Sequence, residues 1–252
     1  MRAIDAVTLL REGAFDPRLA ALLWLLTEDG VPLMVIGDSE QVVRSDVAAA
    51  ILSLDPEREW LVLDGSTDLL TTERLVSLLR GGVALGMTIP VAGLSEAMER
   101  LIAGGLPEDG VRRLGVVVVV DRTEVGLRCV AAHYLRPTER DGQGHIQRRP
   151  PAVLAAWDRE TDEHEHYAWA ITPELADRVD RSQADFEERL SERALFLAAA
   201  AADDAGPDEQ AARRTRFLEA EPPRQAAPPH PRATPSPFRG GLTDPDPDPH
   251  SH

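Results

Sequence analysis

The chain has 252 residues, and its 43 acidic residues against 27 basic ones give a formal net charge of −16. All of the basic residues are arginine and asparagine is absent as well, which excludes a Schiff-base lysine, a phosphate-loop lysine and an asparagine oxyanion donor. The acidic balance disfavours nucleic acid as a partner, because a negative surface repels phosphates.

The first half of the chain alternates between short apolar runs and amphipathic segments. The apolar runs are bounded by Gly or Pro, which is typical of buried strands, and the segments between them carry apolar residues at helical spacing. We predict strands over residues 31–36, 60–64, 84–91 and 116–120, and helices over 41–54, 72–80, 94–103 and 108–114. Because the run of valines at 116–120 has no polar face, it indicates a strand buried on both sides of a doubly wound α/β sheet.

The pattern changes after residue 120, where hairpins and a long helix are predicted. Residues 127–135 pair back on the preceding strand, and residues 153–158 and 166–171 form a second hairpin. A long helix follows over residues 173–202, with Pro173 at its first position and a charged face that includes Asp185 and is expected to be solvated.

The composition divides the chain into three parts. Residues 1–202 are expected to fold as one domain, and residues 203–220 to form a linker with a short helix over 208–218. Residues 203–252 hold 11 of the 20 prolines. We therefore expect residues 221–252 to be a disordered, proline-rich acidic tail, because such a segment buries too little apolar surface to offset its ordering entropy.

Localisation follows from cysteine content and the length of apolar runs. The single cysteine cannot form an internal disulfide, which favours a reducing cytoplasm. No apolar run reaches the roughly 18 residues of a membrane span, so we expect neither membrane insertion nor a signal peptide. The low pI of about 4.8, together with the missing lysine and asparagine, favours a salt-rich cytoplasm over GC-rich coding alone.

The turn after the first strand has the layout of a phosphate-binding loop. The motif G-x-x-x-x-G-K-[ST] wraps backbone N–H groups around phosphates, its lysine neutralises their charge, and its hydroxyl holds Mg²⁺. Gly37 matches the first glycine, but Val42, Val43 and Arg44 stand where the glycine, lysine and hydroxyl residue are required. The pair Arg44-Ser45 imitates Lys-Ser/Thr one residue too far along.

The order of segments from about residue 5 to residue 202 resembles the ATPase domain of the type II/type IV secretion (traffic) ATPase family, in its short archaeal and bacterial form. The matching segments are the leucine-rich helix at 19–26, the acidic run at 59–69, the stretch 86–101, which looks like the family's Thr-x-His-Ala-x-Ser box, and closing strands at 114–121 and 129–137. The resemblance implies an α/β, three-layer, RecA-like P-loop NTPase core with a mostly parallel sheet. Added β-hairpins and a long C-terminal helix complete the predicted fold.

Departures from the family pattern predict that catalysis is lost. Pro90 replaces the box histidine, and the stretch between Asp64 and Thr88 is too short for both the acidic strand and a separate Walker B segment. We therefore predict no catalytic residue, no metal site, no required cofactor, and a function through protein partners. The resemblance implies an active secretion ATPase or a pilus component as partner, and homo-oligomers.

A vestigial nucleotide site is predicted at Gly37, Ser39, Arg44, Ser45 and Asp64. The alternative function is an atypical nucleotide-binding protein, or a weak ATPase, that binds ATP and Mg²⁺ through Arg44 and Ser45.

Two further chemistries are less favoured by the sequence. His164 and His166 lie two residues apart on a predicted strand, so a metal site with His133 or His145 is an alternative to ordinary solvated histidines. The run Gly37-Asp-Ser also matches the start of GDS-type esterases, but these enzymes need an asparagine and an Asp-x-x-His pair that this chain lacks.

Overall fold

In the computed structural model, the described residues are 5–223 except for Ser39, Glu57, residues 65–71, Gly82, residues 141–142 and Gly144. The strands are β1 (Leu33–Ile36), β2 (Leu61–Asp64), β3 (Leu85–Ile89), β4 (Val116–Thr123), β5 (Gly126–Tyr134), β6 (Glu139–Arg140), β7 (Ile146–Gln147), β8 (Ala152–Asp158) and β9 (Glu163–His166). The helices are α1 (Ala6–Arg11), α2 (Pro17–Glu28), α3 (Gln41–Leu52), α4 (Thr72–Arg80), α5 (Leu94–Ala103), α6 (Glu108–Arg112), α7 (Thr172–Arg178), α8 (Gln183–Ala202) and α9 (Pro207–Glu219). Within this described part, none of the helices combines the length and the apolar character that crossing a membrane requires.

Seven strands form one mixed sheet in the order β2-β3-β1-β4-β5-β8-β9. The first four strands of this order are mutually parallel, as predicted, and the pairs β4–β5, β5–β8 and β8–β9 are antiparallel. The α/β class is therefore confirmed, but the sheet is parallel in one half only. The reason is the two-residue turn between Thr123 and Gly126, which is too short for a crossover helix and returns the chain beside β4.

Helices cover both faces of the parallel half. Alternate residues of β1 divide between two core clusters: Leu33 and Val35 pack with α1, α2, α3 and α8, whereas Met34 and Ile36 pack with α4, α5 and α6. The valines at 116–120 alternate in the same way and are all buried, which confirms the prediction of a strand enclosed on both sides.

Two predicted elements of the second half are shorter than expected. The long helix over 173–202 is two helices, because Asp180 adopts a left-handed φ of 51° that an α-helix cannot continue through. Ser182 then caps α8 by accepting a hydrogen bond from the Asp185 N–H at 3.2 Å. The hairpin partner predicted at 166–171 is instead β9, which ends at His166, followed by a 3₁₀ turn over Ala168–Ile171.

The helix predicted within the linker exists as α9 and packs back against the folded part. The Phe217 ring stacks on Phe196 with centroids 4.6 Å apart, and its centroid lies 5.9 Å from that of Trp24. The Glu221 carboxylate, beyond the end of α9, pairs with Arg193 at 3.0 Å. The part of the predicted disordered tail from residue 224 onward lies outside the described residues.

Candidate functional site

The carboxyl edge of the parallel strands is where α/β proteins most often bind ligands, at the point where consecutive connections leave for opposite faces of the sheet. Here β1 leads into α3, which packs in the first core cluster. The neighbouring strand β3 leads into α5, which packs in the second cluster on the other face. The loops after β1 and β3 therefore flank the switch point, and the predicted nucleotide site lies at this edge.

Gly37 is required at this edge by the packing of two strand ends. A Cβ atom added to Gly37 would lie 2.1 Å from the carbonyl oxygen of Val120 at the neighbouring position of β4. No side chain fits at that distance, so the residue after β1 must be glycine whether or not a phosphate binds there. The close approach of β4 is therefore enough to explain why residue 37 is a glycine, without a bound phosphate.

Arg44 projects from the first turn of α3 back toward the strand end. Its Nη1 donates a hydrogen bond to the Gly37 carbonyl oxygen at 3.1 Å, and the residue is only 2% exposed. Burial lowers the pKa of the Arg44 guanidinium, while the nearby carboxylates of Asp64 and Asp38 partly offset that effect. The positive charge at this position is therefore already engaged by protein groups.

Asp64 ends β2 and is linked to the neighbouring strand. The Thr88 hydroxyl donates a hydrogen bond to Asp64 Oδ1 at 3.3 Å, and Thr88 is buried within β3. Thr88 was not among the predicted site residues, although its place near the end of a strand beside an acidic strand end was visible in the sequence. The edge thus combines Gly37, Arg44, Asp64 and Thr88.

The start of α3 carries negative charge where an anion would bind. Asp38 and Glu40 are both exposed, and Glu40 occupies the N-cap position without a side-chain hydrogen bond to the helix. A helix N-terminus attracts phosphate through its free N–H groups and its dipole. Two carboxylates at the same place oppose a phosphate by direct repulsion.

The two predicted serines contribute differently. Ser39 lies outside the described residues. Ser45 is half-buried on α3 and, being next to Arg44, projects about 100° around the helix from it. Of the five predicted nucleotide-site residues, the structure brings Gly37, Arg44 and Asp64 together.

The paired histidines of β9 are each engaged by protein groups. His164 Nε2 lies 2.9 Å from the Cys129 carbonyl oxygen, and His166 Nε2 lies 2.6 Å from Asp16 Oδ2. Burial lowers the pKa of His164 and of His133. Across the described parts of the chain, no three His, Cys, Asp or Glu residues form a group that could hold a metal ion.

A buried charge network runs from the turn before α8 into that helix, and it includes Asp185, whose side chain was expected to be solvated. Arg181, Asp185, Arg189 and Arg193 follow one another at intervals of four residues, and all four are buried. Arg181 Nη1 lies 3.0 Å from Asp185 Oδ2, and Arg193 Nη2 lies 2.6 Å from Glu28 Oε2 on α2. The spacing placed these residues on one face, but a stripe of charges more often faces water than a core.

Neither the scan against protein-family models nor the search of curated proteins found a match to this chain. Any functional assignment must therefore come from the geometry of the residues themselves.

Proposed function

We propose that the chain is a catalytically inactive relative of the secretion ATPases, with a RecA-like core, that acts by binding another protein. The position of Arg44 carries this proposal. An arginine whose guanidinium bonds the Gly37 carbonyl and faces Asp64 and Asp38 stabilises the loop itself, and it is not directed at an incoming phosphate.

The charge at the start of α3 supports the same conclusion. A phosphate loop works because backbone N–H groups and a cation surround a highly negative ligand. At this edge, the exposed carboxylates of Asp38 and Glu40 stand at the helix N-terminus, and Val43, in the place of the lysine, is buried. ATP with Mg²⁺ would have to displace Arg44 and overcome this repulsion.

The edge strand β2 supports a role in protein binding. Among the described residues, β2 pairs only with β3, and it exposes Leu61 and Val62, the latter by 47%. An edge strand with free backbone groups and exposed apolar side chains is a template for pairing with another chain. The opposite edge, β9, exposes Glu163 and Glu165, which discourage such pairing.

ATP–Mg²⁺ titration of the full chain, followed by the melting temperature, tests the first half of the proposal. We expect no shift at millimolar ATP, whereas a ligand at a hundred times its dissociation constant adds about 2.7 kcal/mol to stability. A clear shift that disappears in Arg44→Ala and in Ser45→Ala would instead establish the atypical nucleotide-binding function.

Co-sedimentation with a purified active secretion ATPase from the same organism tests the second half. We expect the wild-type chain to bind and Val62→Asp to bind more weakly, because a charge on the edge strand blocks pairing. Val125→Asp is the matched control, since Val125 is 55% exposed in the β4–β5 turn. Equal binding by both variants would remove β2 from the interface, and no binding by the wild type would remove this partner.

A further inference from the structure

A groove of about 450 Å³ lies between α2, α8 and the 3₁₀ turn that follows β9. Its floor is apolar and is formed by Leu22, Phe186 and Leu190 among others, with Glu187 and Trp169 also among the lining residues. This size lies within the range of sites that take a ligand or a short peptide segment. The groove is far along the chain from the strand-end site, and its chemistry is different.

Trp169 is the most informative residue of the groove. It is 69% exposed on the 3₁₀ turn, and Tyr167, two residues earlier, is exposed as well. A large aromatic side chain left in water forgoes the free energy of apolar burial, and aromatic residues are enriched at binding surfaces. An exposed tryptophan beside an apolar groove resembles the surfaces on which proline-rich segments dock.

We propose that this groove binds the proline-rich segment 228–238 of the same chain. That segment reads Pro-Pro-His-Pro-Arg-Ala-Thr-Pro-Ser-Pro-Phe and contains five of the chain's 20 prolines. Proline favours the extended polyproline II conformation, whose rings pack against aromatic side chains with little loss of conformational entropy. The inference is independent of whether the strand-end site binds a nucleotide.

The place where the described chain ends brings the segment to the groove. The Pro222 carbonyl oxygen accepts a hydrogen bond from Arg189 Nη2 at 3.4 Å. Arg189 lies on the same turns of α8 as Phe186 and Leu190 but on a different face, so a chain leaving Pro222 reaches the groove by passing about half of the helix circumference, roughly 15 Å. The six residue steps from Pro222 to Pro228 reach about 19 Å in a polyproline II chain, which is enough to cover that path.

The short connection also makes a weak interaction sufficient. A segment tethered by a few residues has an effective concentration in the millimolar range, so docking is substantial even when the free peptide would bind weakly. The charge of the whole chain acts in the same direction. Residues 224–243 carry three arginines and no acidic residue, whereas the chain as a whole has a net charge of −16. At the groove itself, the exposed Glu187 attracts such a segment and the exposed Arg18 opposes it.

Contact quenching by tryptophan tests the proposal in the full chain. A bimane dye is attached to the thiol introduced by Ser236→Cys. The labelling is selective, because the native thiol of Cys129 is fully buried and its pKa is raised by that burial. Trp169→Phe should raise the dye fluorescence about twofold if the groove is occupied half of the time.

Two controls separate docking from other effects. Trp157→Phe should leave the fluorescence unchanged, because Trp157 does not line the groove. Its indole N–H donates a hydrogen bond to Asp162 Oδ1 at 2.9 Å. Replacing Pro231 and Pro235 by serine should raise the fluorescence as Trp169→Phe does, although these substitutions leave every residue of the groove unchanged. Fluorescence that is insensitive to Trp169→Phe overturns the proposal. Quenching that falls on dilution overturns docking within one chain, because it assigns the groove to the tail of a second copy.

Discussion

Arginine is buried at several places in this molecule, and two of them, the strand-end site and the α8 region, differ in what the charge connects. At the strand-end site, Arg44 joins the start of α3 to the end of β1 through the Gly37 carbonyl. In the α8 region, Arg181, just before the helix, and Arg193 pair with Glu28 at the end of α2. Arg189 pairs with Glu221 beyond the end of α9, so these arginines join separate segments. The same side chain therefore closes a local turn in one region and holds the tertiary structure together in the other.

The α8 region shows the larger dependence on arginine. Arg193 is fully buried, contacts Glu28 and Glu221, and lies 4.9 Å from the centroid of the Trp24 ring. Its guanidinium thus ties α2, α8 and the end of α9 to each other. A planar group with several donors suits this position, whereas a lysine would act as a single point charge. In a chain without lysine, arginine serves every buried cationic position.

The largest effect is expected for Arg193→Met. The substitution keeps the apolar stem but leaves Glu28 and Glu221 with less compensation in a buried site, which should reduce the free energy of unfolding by about 3 kcal/mol. Urea denaturation measures the loss. Arg159→Met is the control, because the pair of Arg159 with Glu124 is exposed and should contribute less than about 1 kcal/mol. Equal losses would contradict the distinction between buried and exposed pairs.

An intermediate effect is expected for Arg44→Met. Losing a buried charged hydrogen bond to the Gly37 carbonyl should reduce the free energy of unfolding by about 2 kcal/mol. Arg100→Met is the matched control, because Arg100 also donates to a strand-end carbonyl, that of Pro90 at 3.4 Å, but from an exposed position. If Arg44→Met were neutral in denaturation, the structural role assigned to this arginine would be wrong.

The smallest effect is expected at a partly exposed pair, Asp16 with His166. Burial alone would raise the pKa of Asp16, but hydrogen bonds from His166 and the Leu19 N–H lower it overall. The native state then releases this proton more readily than the unfolded chain. The pair's stabilisation is therefore full above the ordinary carboxyl pKa and is lost as pH falls through the lower native value.

Asp16→Asn isolates that charge, because asparagine keeps the N-cap of α2. We expect a cost of about 1 kcal/mol or less at neutral pH that shrinks toward zero in strong acid, measured by urea denaturation between about pH 2 and 7. Asp5→Asn is the control, since Asp5 caps α1 through the Thr8 N–H. A cost for Asp16→Asn that is constant with pH would show that the charge does not contribute.

The elements of the parallel half were predictable because their signals are local. Short apolar runs bounded by Gly and Pro marked β1 to β4, and the valines at 116–120 indicated burial on both faces. The break at Asp180 was not predictable, because the apolar spacing continues through it and only the left-handed backbone of one residue ends α7. The end of β9 at His166 was missed because residues 167–171 form an aromatic and apolar run, whose composition is as typical of a strand as of the 3₁₀ turn that it forms.

The residues of the candidate site were partly predictable. The loop pattern placed Gly37 and Arg44 near each other, and the strand ends placed Asp64 at the same edge. The roles of Gly37 and Arg44 became clear only from distances between atoms. The Val120 carbonyl oxygen leaves no room for a side chain at Gly37, and Arg44 donates a hydrogen bond to the Gly37 carbonyl oxygen. Neither distance follows from spacing along the chain, because each joins segments brought together by the sheet.

The α/β class, the buried valine strand and the incomplete phosphate-loop motif follow from the order of residues alone, because each of them is a property of neighbouring residues. Which of the charged side chains are buried depends instead on contacts between distant segments. Arg193 and the exposed Glu188 lie on the same helix, and both are ordinary charged residues in the sequence. Their environments differ because Glu28 and Glu221, far away along the chain, fold against one face of α8 and leave the other to solvent.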